Sequence, residues 1–206
     1  MISRIGVAVL VSLALSVGFG APDAAAKHAS PRPKCGGGTK PTPHAELGRA
    51  LQIVDGPLIG EGTLWTIPLR APEYGPGTGN WVLGKQAWFR LEEGPLTATA
   101  RRVDGGTGTF HFDIPPVESY PLALNASIGP GFIPSSLEFS TGGCWKVTAR
   151  LGRSRVVLVF DIDDSKAAIC KQLASDLLTA RASSDRWSQS QVGVITADQQ
   201  TRACRV

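Results

Sequence analysis

The four cysteines are the residues whose chemistry the sequence indicates most clearly. No two of them have the two-residue spacing of a zinc site or of a thioredoxin-like redox site. They are Cys35, Cys144, Cys170 and Cys204. In an oxidising compartment an even set predicts two disulfide bonds, for which three pairings are formally possible. We expect Cys35 to pair with Cys144, and Cys170 with Cys204, because the last two cysteines share one C-terminal segment.

Histidine-dependent catalysis has little support in the sequence. The chain has three histidines. His28 and His44 lie in a polar N-terminal segment, and His111 takes the outward side of a predicted strand. No Ser-His-Asp or zinc-hydrolase arrangement is complete. An enzyme would need a site assembled from scattered groups such as His111, Asp113 and Glu138, and we expect none.

Metal and cofactor motifs are also incomplete. Asp161, Asp163 and Asp164 could offer oxygens to Ca²⁺, but the glycine turn and the distal glutamate of a calcium loop are missing, which favours helix capping. The alternate glycines of residues 75–79 lack the strand, turn and helix order of a dinucleotide-binding loop. We therefore expect no bound metal and no cofactor.

Aromatic side chains are better candidates for a binding surface. Exposed aromatic rings offer a large contact area to sugars or peptides at low entropic cost. The candidate residues are Trp65, Trp81, Trp88 and Arg90. In the strand predicted at residues 85–91, Trp88 and Arg90 lie opposite the alternating apolar residues. If those apolar residues face the core, Trp88 points outward beside Arg90 and belongs to a binding face. Coverage of Trp88 by the N-terminal arm or the C-terminal helix is the favoured alternative.

The first 26 residues differ in composition from the rest of the chain. A basic start, about 15 apolar residues and a run of small residues are typical of a cleavable secretory signal peptide. This apolar run is shorter than the roughly 20 residues that span a membrane, which favours cleavage over retention as an anchor. We therefore expect a secreted or cell-envelope protein with no transmembrane segment in its mature chain.

The mature chain divides into three zones. Residues 27–44 are basic and rich in glycine and proline, which predicts a disordered arm. Residues 45–164 are expected to form the folded β domain. Residues 165–206 are expected to form a C-terminal helix followed by a polar tail.

The β domain has the pattern of many short strands. Apolar alternation recurs about every 10 residues between turn-rich stretches, which predicts an all-β sandwich or barrel. The order of the last three strands, in which an aromatic residue begins the penultimate one, is typical of an immunoglobulin-like antiparallel β-sandwich. The predicted strands are residues 64–69, 85–91, 96–103, 108–114, 120–126, 137–140, 144–150 and 155–162.

The C-terminal segment changes from strand to helical periodicity. Apolar residues recur at close to helical spacing over residues 165–181, which predicts one amphipathic helix docked on the sandwich. These residues are Ile169, Leu173, Leu177 and Ala180. The polar residues that follow lack a clear period, and residues 192–195 favour a short strand.

Charge is unevenly distributed along the chain. The formal net charge is +4 at pH 7. The arm has four basic residues and no acidic one, and residues 165–206 have six basic and three acidic residues, which leaves −3 for the middle of the mature chain. Basic flanks are suited to contact with an anionic cell-envelope polymer, but solvated tails that keep the protein soluble are the favoured interpretation of this pattern. We expect no nucleic-acid partner.

Four sequence blocks stand out in a fixed order between about residues 79 and 162. They are K-Q-A-W-F-R from Lys85, G-P-L-T-A-T-A-R-R-V-D from Gly94, G-F-I-P-S-S-L-E-F from Gly131 and G-C-W-K-V-T-A-R from Gly143. These blocks resemble the K-x-x-W-[WF]-R, G-x-L-T-x-x-x-R-R-x-D and G-C-W-x-V-T-x-R patterns of a group of uncharacterised secreted bacterial β-sandwich proteins. The resemblance implies export and a β-sandwich, and it implies no activity.

These observations favour a non-catalytic binding module of the cell envelope or the extracellular space. An anionic envelope polymer or a secreted protein is the expected partner. A structural accessory domain for a protein partner is the alternative, and an enzyme with scattered catalytic groups is the least favoured function.

Overall fold

The computed structural model describes residues 35–36, 40–68, 70–122, 124–125 and 129–204. The predicted signal peptide and residues 27–34 of the predicted arm lie outside the described residues. The expectations for those two segments therefore stay predictions.

Short antiparallel strands are the main secondary structure of the described chain, as the alternation predicts. The strands are β1 (Ile59–Glu61), β2 (Leu64–Thr66), β3 (Glu73–Tyr74), β4 (Trp81–Arg90), β5 (Thr97–Arg102), β6 (Phe110–Asp113), β7 (Leu124–Asn125), β8 (Gly129–Pro130), β9 (Phe132–Phe139), β10 (Gly143–Leu151) and β11 (Ser154–Ile162). Short 3-10 helices occupy His44–Glu46 and Val117–Ser119. Within the long strand predicted at residues 120–126, residues 120–122 lie outside any strand and Leu124–Asn125 form β7, while residues 123 and 126 are outside the described part of the chain.

Two larger sheets form from these strands. The first has the order β1-β2-β4-β9-β6, and β3 pairs with the first residues of β4 on the same edge as β2. The second has the order β11-β10-β5, and a separate hairpin joins β7 to β8. Every strand pair is antiparallel.

One hydrophobic core joins the inward residues of the two sheets. Trp145, Val147 and Ala149 of β10 are buried, as the alternation predicts. Phe139 of the first sheet stacks against Trp145 and Phe160 of the second, with ring centroids 5.3 and 5.4 Å apart. Each large apolar side chain buried here contributes about 1.5–3 kcal/mol, so this contact provides much of the adhesion between the sheets.

A second, smaller core lies on the other side of β4. Ala87 and Phe89 are buried there. They are covered by the segment that precedes β1, whose buried apolar residues are Leu47, Leu51, Val54 and Leu58. The centre of β4 is thus buried on both faces.

The C-terminal segment forms two helices, α1 (Lys166–Ala182) and α2 (Arg186–Thr201). Ile169, Leu173, Leu177 and Ala180 of α1 are buried and join the main core, as predicted. The expectation of a polar tail with a strand at residues 192–195 is wrong, because those residues lie within α2.

Local capping explains why a sequence without clear periodicity begins a second helix. The Asp185 side chain accepts a hydrogen bond from the backbone N–H of Ser188 at 2.8 Å, which satisfies an otherwise free donor of the first turn. Hydrogen bonds from Ser183 and Ser188 lower the pKa of Asp185 to about 2. The capping carboxylate therefore stays charged at neutral pH.

Both predicted disulfides are present. Cys35 bonds to Cys144 at the start of β10, and Cys170 of α1 bonds to Cys204 just after α2. The second bond ties the two ends of the helical hairpin together across 34 residues of chain. In the described part of the chain, no helix is both long enough and apolar enough to cross a membrane.

Candidate functional site

Trp88 and Trp81, two of the candidate binding-surface residues, do not lie at the surface. Trp88 is 0% exposed, its indole N–H donates to Ser135 Oγ at 2.7 Å, and its ring packs edge-on against Phe112. Trp81 is buried and packs edge-on against Tyr74. Both tryptophans belong to the main core.

A bulge in β4 explains why the alternation misleads. The pairing of β4 with β9 shifts between Leu83 and Gln86, and Lys85 within that interval has a positive φ of 58°. An extra residue on one strand exchanges the faces of the residues that follow it. Ala87 and Phe89, on the opposite face of β4 from Trp88, pack against the segment that precedes β1. Because both faces of β4 carry apolar residues, the alternation alone could not show which face meets the main core.

Trp65 and Arg90 also lie away from an open binding surface. Trp65 is half-buried, and its indole N–H donates to the Gly62 carbonyl at 2.9 Å. Arg90 is only 2% exposed. The four residues predicted to form a binding face are therefore largely structural or lie at the wall of a pocket.

The scattered acid–base groups do come together on one sheet face. His111 of β6 lies directly opposite Glu138 of β9, and Asp113 follows two residues along β6 on the same side. Glu138 Oε1 accepts a hydrogen bond from Asn80 Nδ2 at 2.7 Å. These groups line neither of the two cavities described below. His111 is exposed, as predicted.

The outer face of the second sheet gathers positive charge from three strands. Lys146 of β10 lies opposite Arg101 of β5, and Arg150 of β10 lies opposite Arg155 of β11. Lys146 and Arg150 are four residues apart, so they share one face at about 13 Å along the strand. We name these four residues the basic face.

The middle of the basic face combines threonines with the half-buried Val157 and Val159, which lie opposite Thr148 and Lys146 on β11. Thr148 lies opposite Thr99 between the charged pairs. Arg155 makes a distant contact with Glu61, at 3.7 Å between exposed side chains. Within the described residues, Arg101, Lys146 and Arg150 form no ion pair. Like charges directly opposite each other on a sheet are destabilising, so the two pairs cost the isolated fold free energy.

Asp104 stabilises the end of the second sheet at which Cys144 forms its disulfide. Its carboxylate accepts hydrogen bonds from Arg102 Nε and Nη2 at 2.9 and 2.7 Å, and from the backbone N–H of Cys144 at 3.0 Å. The Arg102 guanidinium is the main reason that the pKa of Asp104 lies well below its usual range. This contact holds the turn after β5 against the first residues of β10, beside the basic face.

A cleft of about 640 Å³ lies between β4 and the helical hairpin. The cleft runs along the bulge of β4 at Gly84 and Lys85, a stretch of β4 that pairs with neither β3 nor β2. Trp187 of α2 stands at its wall and is 72% exposed. Gln172 of α1 closes the cleft at β3 by bonding both the N–H and the carbonyl of Tyr74, which removes a free sheet edge.

A smaller pocket of about 570 Å³ lies at the far end of β4 and includes Arg90 in its wall. The basic face, the cleft and this pocket are the three candidate sites in the described part of the chain. Sequence reasoning missed the basic face because it summed charge along segments. The outward positions of the predicted strands at 96–103 and 144–150 were the available signal.

No protein-family model matches the chain, and comparisons with curated proteins and with solved structures find no significant match.

Proposed function

We propose that this protein is an exported, non-catalytic binding module of the cell envelope or extracellular space, and that its basic face binds an anionic polymer. The N-terminal composition and two disulfides, which are compatible with an oxidising compartment, support export. The charge pattern of the second sheet supports the ligand class.

The two like-charged pairs across β10 are the observation on which the proposal depends. Arg101 with Lys146, and Arg150 with Arg155, place four cations on one face of three strands. An anionic ligand that approaches this face would remove the repulsion within both pairs at once. Release of this repulsion, which destabilises the unbound sheet, would therefore favour binding.

The shape of the face favours a polymer over a small anion. No described cavity is lined by Arg101, Lys146, Arg150 or Arg155, so a single small anion would remain largely solvated. A chain of repeated carboxylates or phosphates can contact both pairs, about 13 Å apart, at the same time. The field of clustered cations would also speed its encounter.

We also propose that the two-sheet body is an immunoglobulin-like sandwich. The strand orders β2-β4-β9-β6 and β5-β10-β11 correspond to the A-B-E-D and C-F-G orders of a seven-strand domain of that type. The sequence blocks that resemble the secreted bacterial group fall mainly on β4, β5, β9 and β10. Membership in that group is part of the same proposal.

A charge-matched pair of variants tests the polymer proposal. The test variant changes Arg101, Lys146, Arg150 and Arg155 to Gln. The control changes four exposed helix residues to Gln: Lys166, Lys171, Arg181 and Arg186. Both variants lose the same formal charge, so only the position of the charge differs.

The measurement is co-sedimentation with isolated cell-wall material at low salt and at about 0.5 M salt, where screening is strong. We expect the test variant to bind at least about tenfold more weakly than the control at low salt, because four phosphate or carboxylate contacts are removed. Wild-type binding should fall steeply with salt. Equal affinity of the two variants would exclude the basic face as the binding site.

The second candidate function is a structural accessory domain for a secreted protein. The exposed apolar residues of the helical hairpin, Trp187 and Leu178, favour it, because both are about 70% exposed. In the same experiment, one protein retained at high salt and lost with Trp187→Ser would support this function and would count against polymer binding.

A further inference from the structure

Arg90 is a buried cation that makes no ion-pair contact within the described residues. Its Nη2 donates to the Tyr120 carbonyl at 2.8 Å and its Nη1 contacts the Gly94 carbonyl at 3.4 Å. Its Nε is fully buried and has no hydrogen-bond acceptor. Within the described residues no carboxylate forms an ion pair with Arg90. Burial lowers the pKa of this guanidinium.

Such an arrangement is costly for the protein alone. A guanidinium has five N–H donors in a planar fork, and a buried charge is normally paired with an opposite charge. Two carbonyl oxygens satisfy only part of that requirement. A bound carboxylate would supply both the missing acceptor atoms and the missing negative charge.

The pocket in front of Arg90 has room for a ligand and contains further charge. Its volume is about 570 Å³, which lies within the usual range of small-molecule sites. Glu93 and Glu118 line it and are exposed; neither contacts Arg90 directly, and their charges only partly offset the effect of its burial. Their charge favours a cation at the mouth of the pocket. The remaining wall is largely apolar and includes Pro95, Val117, Pro121 and Leu122.

We propose that this pocket binds a small zwitterion, either a free α-amino acid with an apolar side chain or a short peptide of such residues. The ligand carboxylate pairs with the Arg90 guanidinium. The ligand ammonium group faces Glu93 and Glu118, and its side chain contacts the apolar wall. The pocket belongs to the first sheet and is separate from the basic face, so this inference does not depend on polymer binding.

Titration calorimetry with four probes tests the two ends of the ligand separately. The probes are L-leucine, the dipeptide leucyl-leucine, N-acetyl-L-leucine, which lacks the ammonium group, and L-leucinamide, which lacks the carboxylate. We expect L-leucine or the dipeptide to bind at least about tenfold more tightly than the two single-charge probes, the scale of one charged hydrogen bond. The tighter of the two zwitterions identifies the source of the ligand.

Variants of the pocket provide the controls. Arg90→Gln should abolish binding, but the loss of a buried residue could also unfold the protein. The double variant Glu93→Gln/Glu118→Gln changes only exposed side chains, and it should remove the preference for L-leucine over N-acetyl-L-leucine. Glu46→Gln/Glu73→Gln is the matched control, because both glutamates are exposed and lie outside this pocket. Equal binding of all four probes, no binding of either zwitterion, or an unchanged preference in the pocket variant would overturn the proposal.

Discussion

At the scale of single residues, charge is used in two different ways. Asp104 is fully partnered, since its carboxylate receives hydrogen bonds from Arg102 and from the backbone of Cys144 and Gly106. Arg90 is buried with its charge only partly satisfied. The first arrangement stabilises the fold, whereas the second is the arrangement expected of a group that awaits a ligand.

Asp104→Asn should lower the free energy of unfolding by about 2 kcal/mol at neutral pH, because it removes charged hydrogen bonds. The pKa of Asp104 is depressed in the folded protein, so its contribution is fully present above the ordinary aspartate value near 3.9 and is lost as the pH falls through the lower folded-state pKa. The difference in free energy of unfolding between the two proteins, measured in urea, should therefore begin to shrink below about pH 4 and disappear only as the pH falls through the lower folded-state pKa. The exposed Asp55→Asn serves as the control, and equal stability of wild type and Asp104→Asn at neutral pH would contradict the assigned role.

At the scale of elements, β10 is the strand that links the core to the surface. Its inward residues are apolar and buried between the two sheets. Its outward residues meet like charges on β5 and β11. The same strand therefore stabilises the fold on one side and costs free energy on the other.

Arg150→Thr should raise the free energy of unfolding by a few tenths of a kcal/mol, because it removes the repulsion between Arg150 and Arg155 and threonine suits a strand. Arg153→Thr is the comparison, since Arg153 lies in the exposed turn between β10 and β11 and has no cross-strand partner. Chemical denaturation of both variants measures the difference. A clear loss of stability in Arg150→Thr would show that the pair is not repulsive.

At the scale of the whole molecule, positive charge lies on the folded body as well as on the N-terminal arm and the C-terminal segment. The sum of charge along the sequence had suggested that only those two extensions carry it. The middle of the chain is acidic in total, yet four of its ten basic residues share one face of the second sheet. The Cys35–Cys144 disulfide ends at that same sheet. The body itself therefore carries the charged face on which the proposed polymer binding depends.

Deleting residues 27–34 tests the body against the arm. This deletion removes Lys27, Arg32 and Lys34 and keeps Cys35. If the basic face dominates, the shortened protein should retain most of its affinity for cell-wall material, whereas the four-site Gln variant should lose it. A larger loss from the deletion than from the four-site variant would assign binding to the arm instead.

The sequence determined most of what depends on local pattern, namely the longer strands and the apolar stripe of α1. The grouping of the cysteines along the chain also indicated the two disulfide pairs. The sequence could not determine α2, because that helix depends on the Asp185 cap and on packing rather than on a clear period. Nor could it decide which face of β4 enters the main core. The bulge at Lys85 and the cover over Ala87 and Phe89 decided that.

Only the tertiary structure brought Arg101, Lys146, Arg150 and Arg155 to one face and left Arg90 at the wall of a pocket. The register between β5, β10 and β11 spans more than 40 residues of sequence, and a slip of one residue would turn each side chain to the opposite face. Local alternation indicates which residues share a side of one strand. The pairing between distant strands decides which of those sides meet.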